Sequence, residues 1–314
     1  MQQRSAAAVA TGVAAAGARY VGKEQSKRCV VRAAWSSCLT NLWVRAGSPQ
    51  LLQPLEPSEQ SKLTAACEHA HHVKKNGTID KAKRKSRGTA SVTAAGLQEL
   101  LKPETMLTQN VLETAFRRLT AAGGAATYIP ESINLCVQIK QGTSYQDLLQ
   151  WDSSKALVHF VHLLQGQGHS AATSGADYLL LPIHRPSHWV LMVLDLQNKT
   201  LTLLDSLAAG DAGAKKAEAD IERVRAYLDY LAVRESGVSI QWSSTFPSVQ
   251  VAQQYDLDSP NESGLDCGLF TLFYGVAISS RASICKDAPF TQENMPTLRK
   301  RDAQLVTGQL ELSI

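Results

Sequence analysis

Hydrophobic residues recur at regular spacing only in the later two thirds of the chain. Residues 1–90 show no sustained helical or strand period beyond short pieces such as Ala33 to Val44. We therefore expect these residues to form a poorly ordered or accessory N-terminal region. From Leu97 onward the apolar positions follow the periods of secondary structure. The pattern predicts a folded domain over residues 91–314.

Helices are expected where apolar residues recur every three or four positions. This pattern covers Thr108–Leu119, which begins with a residue type that caps helices, and Ala214–Val233, which is strongly amphipathic. Trp151–Leu164 forms another short element between them. Asp266–Ile278 (DCGLFTLFYGVAI) is apolar almost all round. It predicts a buried helix with Cys267 in the first turn.

Buried strands are expected where short, continuous apolar runs end in turn residues. Tyr178–Ile183 (YLLLPI) is such a run, and Val190–Leu196 and Thr200–Leu204 follow it with a turn at residues 197–199. Val238–Trp242 is expected to form a further strand. Helices and strands mixed in this order predict an α+β domain with a central sheet.

Composition excludes two classes of protein. No stretch approaches the roughly 18 to 20 consecutive apolar residues of a membrane-spanning helix, so an integral membrane protein is not expected. The six cysteines are scattered without a CxxC pair, and no secretory leader is recognisable. We therefore expect reduced thiols rather than a disulfide framework.

The N-terminal region carries three weaker signals. Residues 74–87 (KKNGTIDKAKRKSR) are strongly basic, which fits binding to nucleic acid or to an acidic surface, or a nuclear import signal, as well as a solvated linker. The Ala-rich residues 1–23 fit a low-complexity terminus better than a transit peptide. Residues 67–72 (CEHAHH) lack a second ligand pair at zinc spacing, so no metal site is predicted. We expect a nuclear or cytoplasmic protein that does not bind nucleic acid.

Cys267 is a candidate nucleophile because of its place in the predicted helix. Unpaired N–H groups at a helix N-terminus favour the thiolate form of a cysteine, which is the reactive form. Gly268 allows close approach of a substrate, and Asp266 is a residue type that caps helices. A buried cysteine in an apolar helix is more often inert packing, so Cys267 needs support from other residues.

His188 and Asp205 supply that support. His188 lies in a loop (PSHW) after the YLLLPI strand, and Asp205 follows the last strand of the predicted hairpin. A hairpin would return the carboxylate of Asp205 to His188, where it can orient the imidazole as the base for a thiol. Acyl transfer also needs donors for the oxyanion, and Gln253, Gln254 and Asn261 lie upstream of Cys267.

Two segments of the chain, PIHRPSHWVLMVLDLQNKTLTLLDSLAAG and GLDCGLFTLF, resemble the Ulp1/SENP family of ubiquitin-like cysteine peptidases. The shared features are His188-Trp189, Asp205-Ser206 and Asp266-Cys267-Gly268. The likeness extends more loosely from about Leu97, through Trp151, to Leu298-Arg299-Lys300. The resemblance implies a papain-like (adenain/Ulp1-type) α+β fold with a central mixed sheet and the nucleophile at the N-terminus of a buried helix.

The implied activity is hydrolysis after the C-terminal Gly-Gly of SUMO or a related modifier, through a thioester and without a metal or organic cofactor. Trp189 would roof the tunnel for the glycine tail, and Trp151 is assigned to substrate binding with it. The expected partners are SUMO or another ubiquitin-like protein and its conjugates.

One position departs from the family pattern and leaves two alternatives for the oxyanion donor. The family carries Gln six residues before the nucleophile, where this chain has Asn261. Either Asn261 donates with a shorter side chain, or Gln254 in the VAQQ segment takes the role and the residues after it form an inserted loop.

Three rival functions also remain open. The same fold serves NEDD8 or ubiquitin proteases, acetyltransferase effectors, and inactive modules that only bind a ubiquitin-like protein.

Overall fold

A computed structural model describes residues 54–65, 94–102, 105–165, 176–207, 210–243, 264–281 and 290–307. All of them fall in one compact unit that begins at Ala46. None of the helices in these ranges is long and apolar enough to cross a membrane. Ala33–Val44, the basic run, the CEHAHH segment, Gln254 and Asn261 lie outside the described residues.

Four strands form a mixed sheet in the described part of the chain. They are β1 (Ala126–Tyr128), β2 (Tyr178–Arg185), β3 (His188–Asp195) and β4 (Thr200–Leu204), in that order across the sheet. β1 and β2 are parallel, while the β2–β3 and β3–β4 pairs are antiparallel. The predicted strands at 178–183, 190–196 and 200–204 are thereby confirmed within one or two residues of each end.

Helices cover both faces of this sheet. In chain order they are α1 (residues 57–65), α2 (Ala94–Leu101), α3 (Gln109–Ala121), α4 (Ser132–Gln141), α5 (Tyr145–Leu148), α6 (Asp152–Leu164), α7 (Gly210–Ser236), α8 (Cys267–Ser279) and α9 (Met295–Thr307). Short 3₁₀ turns at Gly264–Asp266 and Gln292–Asn294 lead into α8 and α9.

Alternating residues of the strands point into two separate cores. Leu180, Leu191 and Val193 pack with α3, α8 and α9. Their neighbours Leu179 and Met192 pack with α4, α6 and α7 on the opposite face. Because both faces are buried, the strands read as continuous apolar runs rather than as alternating ones.

Three local predictions are corrected by the structure. Val238–Trp242 forms no strand; instead the Ile240 N–H and the Trp242 indole N–H donate to the carboxylate of Asp229 on α7. Thr108 occupies the N-cap of α3 and Asp266 the N-cap of α8, but neither side chain caps its helix. The carboxylate of Asp266 pairs with Arg299.

Part of the predicted accessory region packs on the domain. Leu63 of α1 is only 2% exposed and belongs to the core cluster that contains α8 and α9. Glu59 accepts a hydrogen bond of 2.8 Å from Arg301 of α9. The folded unit therefore includes residues before 91, and an accessory role stays a prediction only for the parts of 1–90 that the structure does not describe.

Candidate active site

Cys267 is the first residue of α8, as the apolar run predicts. Every residue of this helix is buried, because it is enclosed between the sheet and the outer helices α3 and α9. The sulfur of Cys267 accepts a hydrogen bond of 3.4 Å from the backbone N–H of Trp189. This contact places the thiol beside the first residues of β3.

His188 and Asp205 meet at the end of the hairpin, as predicted from their positions in the chain. His188 begins β3 and Asp205 directly follows β4, the antiparallel neighbour of β3. The distance between His188 Nε2 and Asp205 Oδ1 is 2.6 Å. This leaves Nδ1 of the imidazole, which makes no hydrogen bond to any described residue.

The surroundings of His188 favour its protonated form. Burial alone would lower the pKa of His188, but the hydrogen bond to Asp205, the nearby Cys267 thiol and the negative charges of both groups raise it to about 9. The Cys267 sulfur accepts from the backbone N–H of the residue that follows His188, so the thiol lies close to His188. A histidine that holds its proton beside a cysteine at a helix N-terminus is the arrangement that nucleophilic thiol chemistry requires.

Asp205 is held as a carboxylate by several donors. Oδ1 accepts from the Leu207 N–H at 3.0 Å as well as from His188, and Oδ2 accepts from Arg185 Nη1 at 2.7 Å. Burial raises the pKa of Asp205, but the hydrogen bond and charge of His188, the Leu207 N–H and the charge of Arg185 outweigh burial and lower it. A fixed carboxylate of this kind sets the orientation of the imidazole.

The two tryptophans assigned to substrate binding lie in different layers. Trp189 is 2% exposed, its indole N–H donates to the Leu107 carbonyl at 2.9 Å, and its ring lies 4.4 Å from the ring of His184. Trp151 is partly buried against the core on the other face of the sheet. The structure therefore brings Trp189, but not Trp151, together with Cys267.

Arg299 of α9 fixes the residue that precedes Cys267. Its guanidinium donates through Nε and Nη2 to Oδ1 of Asp266, while Gln292 Nε2 donates to Oδ2 at 2.5 Å. The same guanidinium donates to the carbonyls of Leu100 and Thr105. The N-terminus of α8 is thus tied to two other parts of the chain.

Sequence reasoning assigned no role to Arg185, Asp220 or Arg299. All three are buried ionisable residues with charged partners far away in the chain. The available signal was a single arginine at the end of the apolar β2 run, because a buried charge requires a partner. Nothing in the sequence identifies that partner.

The model for the C-terminal catalytic domain of the Ulp1 protease family matches residues 140–312. The chain belongs to the Ulp1 protease family. The matched range contains His188, Asp205 and Cys267 and extends into α9. The family resemblance of the sequence is confirmed.

Relatives of this Ulp1 domain match over a shorter stretch. A sentrin-specific protease of Caenorhabditis elegans is 31% identical over 125 residues, which cover 40% of this chain and 16% of the relative. Human sentrin-specific protease 2 is 33% identical over 129 residues, which cover 40% of this chain and 19% of the relative. The chain spans less than a fifth of the length of these relatives.

A solved Ulp1 structure has the same fold. The C-terminal Ulp1 protease domain in complex with Smt3, the yeast ortholog of SUMO, superimposes with a TM-score of 0.54 and 17% identity. The superposition covers 82% of this chain and 97% of that one. The predicted Ulp1-type α+β fold, with a mixed sheet and the cysteine at the start of a buried helix, is confirmed.

Proposed function

We propose that the chain is a cysteine protease that cleaves after the C-terminal Gly-Gly of SUMO or a related ubiquitin-like modifier. The observation that carries the proposal is the 2.6 Å contact between His188 and Asp205 beside the thiol of Cys267 at a helix N-terminus. Membership of the Ulp1 protease family supports it. The names of the sentrin-specific relatives and the Smt3 complex point to SUMO as the modifier.

In the proposed mechanism Cys267 is the nucleophile, His188 the base and Asp205 the orienting acid. The thiolate attacks the carbonyl carbon of the terminal glycine, and the electron pair of the C=O bond moves to the oxygen. The oxyanion collapses, the C–N bond breaks, and the imidazolium of His188 protonates the departing amine. Water, deprotonated by the neutral imidazole, then hydrolyses the thioester and restores the thiolate–imidazolium pair.

Donors for the oxyanion belong to the same proposal. The backbone N–H of Cys267, at the first position of α8, is the proposed main-chain donor. Gln254 or Asn261 supplies the side-chain amide. A loss of about 10²-fold in kcat is expected when the correct one of the two is replaced by alanine.

The residues around Trp189 are the proposed basis for selecting glycine in the C-terminal tail of the substrate. A Cβ added to Gly268 would lie 2.8 Å from the Cβ of Leu107, whose carbonyl holds the Trp189 indole. Gly268 is therefore needed for the packing beside Cys267, and a narrow passage next to Trp189 that admits only residues without side chains is part of the proposal. A role for Trp151 in binding the modifier involves a separate surface. A nuclear or cytoplasmic location stays a prediction.

Activity probes test this function directly. The full chain and its Cys267→Ala variant are incubated with C-terminal propargyl probes of SUMO, NEDD8 and ubiquitin, and adducts are located by mass spectrometry. We expect a SUMO adduct on Cys267 that is absent from the variant and from His188→Gln. An adduct with NEDD8 or ubiquitin alone would reassign the modifier. Folded protein without any adduct would overturn the protease function, and acetyl-CoA labelling or stoichiometric SUMO binding would then distinguish the acyltransferase from the binding module.

A further inference from the structure

A buried arginine binds the oxygen of Asp205 that His188 does not use. Arg185 is 8% exposed, ends β2, and is the cross-strand partner of His188 in the β2–β3 hairpin. Its Nη1 lies 2.7 Å from Asp205 Oδ2, whereas His188 Nε2 lies 2.6 Å from Oδ1. Two basic groups from one hairpin therefore share a single carboxylate.

Asp220 of α7 binds the other edge of the same guanidinium. Arg185 Nε and Nη2 lie 2.9 and 2.8 Å from Asp220 Oδ2. Asp220 is 6% exposed, and its Oδ1 accepts from the half-exposed Arg223 at 3.0 Å. Charges thus alternate in sign from His188 through Asp205 and Arg185 to Asp220, with the planar guanidinium fixed on two edges.

We propose that Arg185 and Asp220 are positioning residues that set the proton affinity and the orientation of His188 through the carboxylate of Asp205. The inference rests on the proposed function, since His188 is the base of that reaction. Arg185 acts on the imidazole only through Asp205, and Asp220 acts only through Arg185.

Electrostatics gives the two residues opposite effects. The positive charge of Arg185 offsets part of the attraction between Asp205 and the imidazolium. Without Arg185, the carboxylates of Asp205 and Asp220 both stabilise the proton on His188. Without the charge of Asp220, Arg185 is uncompensated and the proton is released more easily.

The other ionisable groups near His188 do not reverse these signs. Cys267, the first residue of α8, is retained when Arg185 or Asp220 is replaced, and its effect on the imidazolium of His188 is therefore the same in each variant. Tyr274 of the same helix stays neutral, because burial and the charge of Asp205 raise its pKa. Asp266 is paired with Arg299. The described groups around His188 therefore leave Arg185 and Asp220 as an opposed pair.

The test is the titration of the His188 imidazole by NMR in the full chain, with the resonance assigned by its loss in His188→Gln. We expect Arg185→Met to raise the midpoint by about half to one pH unit and Asp220→Asn to lower it by a similar amount. Arg185→Lys keeps the positive charge but loses the planar guanidinium that binds Asp205 and Asp220 on two edges. The midpoint of the His188 titration should therefore stay within about 0.3 pH units, while kcat/KM falls roughly tenfold because Asp205 is held less firmly. Arg234→Met on α7, half-exposed and next to Glu235, is the matched control that leaves both unchanged.

Midpoints that do not move, or that move in the same direction in Arg185→Met and Asp220→Asn, would overturn the inference. Folding of each variant is checked by urea denaturation, and Asp220→Asn and Arg185→Lys carry the test if Arg185→Met does not fold. The titration is read without substrate. A chain that labels with no probe but shows the opposed shifts would fail as a protease while the charge coupling holds.

Discussion

Asp302 of α9 is a buried acid whose ionisation opposes folding. Its side chain is inaccessible to solvent, and neither carboxyl oxygen has a hydrogen-bond partner among the described residues. Burial raises the pKa of Asp302 to about 8, and the nearby charge of Arg299 offsets this only in part. A carboxylate without hydrogen bonds in an apolar site is costly, so the neutral acid is the form that the fold accommodates.

Asp302→Asn should therefore stabilise the protein in a manner that depends on pH. The unfolded chain ionises Asp302 near pH 4 and the folded chain near pH 8, so the stability of the wild type falls between these values and then levels off. The variant lacks this loss. Its stability relative to the wild type should therefore be greater at pH 8 than at pH 4 by about 4–6 kcal/mol. Urea denaturation at several pH values measures it, with the exposed Asp152→Asn on α6 as control. A stability difference that is constant with pH would contradict the assignment.

At the scale of elements, α9 holds the start of α8 in place through one guanidinium. Arg299 is 3% exposed and donates to Asp266 and to the carbonyls of Leu100 and Thr105. Removing it leaves the buried carboxylate of Asp266 without its charged partner, though still bound by Gln292, and deprives two carbonyls of a donor. The consequence reaches the active site, because Asp266 is adjacent to Cys267.

Arg299→Met should destabilise the fold and lower activity together. Breaking a buried ion pair on one side costs about 3–5 kcal/mol, and a displaced Asp266 shifts the thiol, so we expect a loss of at least roughly tenfold in kcat/KM. The exposed neighbour Lys300→Met is the matched control and should change neither quantity. Thermal unfolding and hydrolysis of a SUMO precursor are the measurements. Wild-type activity in a destabilised variant would separate Arg299 from the positioning of Cys267.

The contact between α8 and α3 depends on a glycine. A Cβ at position 275 would lie 2.6 Å from Cε1 of Phe116 on α3, closer than two carbon atoms can pack. We expect Gly275→Ala to destabilise the protein by about 1–3 kcal/mol through overpacking. Phe116→Leu should recover part of this loss in the double variant, which urea denaturation of the four proteins would show. Additive effects would rule out a direct contact between the two positions.

The sequence predicted those helices and strands in which nearly all of the buried side chains are apolar. The strands β2 and β3 and helix α8 consist mostly of large apolar residues, β4 alternates threonine with leucine before Leu204, and the structure confirms all four elements. Helix α9 was not predicted, because Arg299, Arg301, Asp302 and Gln304 are buried in it and conceal its period. The strand predicted at Val238–Trp242 was wrong, since the carboxylate of Asp229 satisfies its backbone and indole donors in place of a neighbouring strand.

At the scale of the whole molecule, the sequence predicted those parts of the site that lie on neighbouring elements of the chain, namely the hairpin and the start of the buried helix. His188 and Asp205 lie on strands joined by a short turn, so their approach follows from local structure. Arg185 and Asp220 meet only because α7 packs across the face of the sheet. That contact joins residues 35 positions apart, and no local pattern specifies it.

The N-terminal limit of the folded unit follows from the same long-range packing. Helix α1, at residues 57–65, buries Leu63 and pairs Glu59 with Arg301. A chain that begins at residue 91 should therefore be less stable than one that begins at residue 46 by about 2–4 kcal/mol, the cost of one buried leucine. Leu63→Ala in the full chain should reproduce most of this loss, and the exposed Ser61→Ala should not. Denaturant unfolding of the five proteins decides the question, since equal stability of both truncations would mean that α1 is accessory and that the domain begins at residue 91.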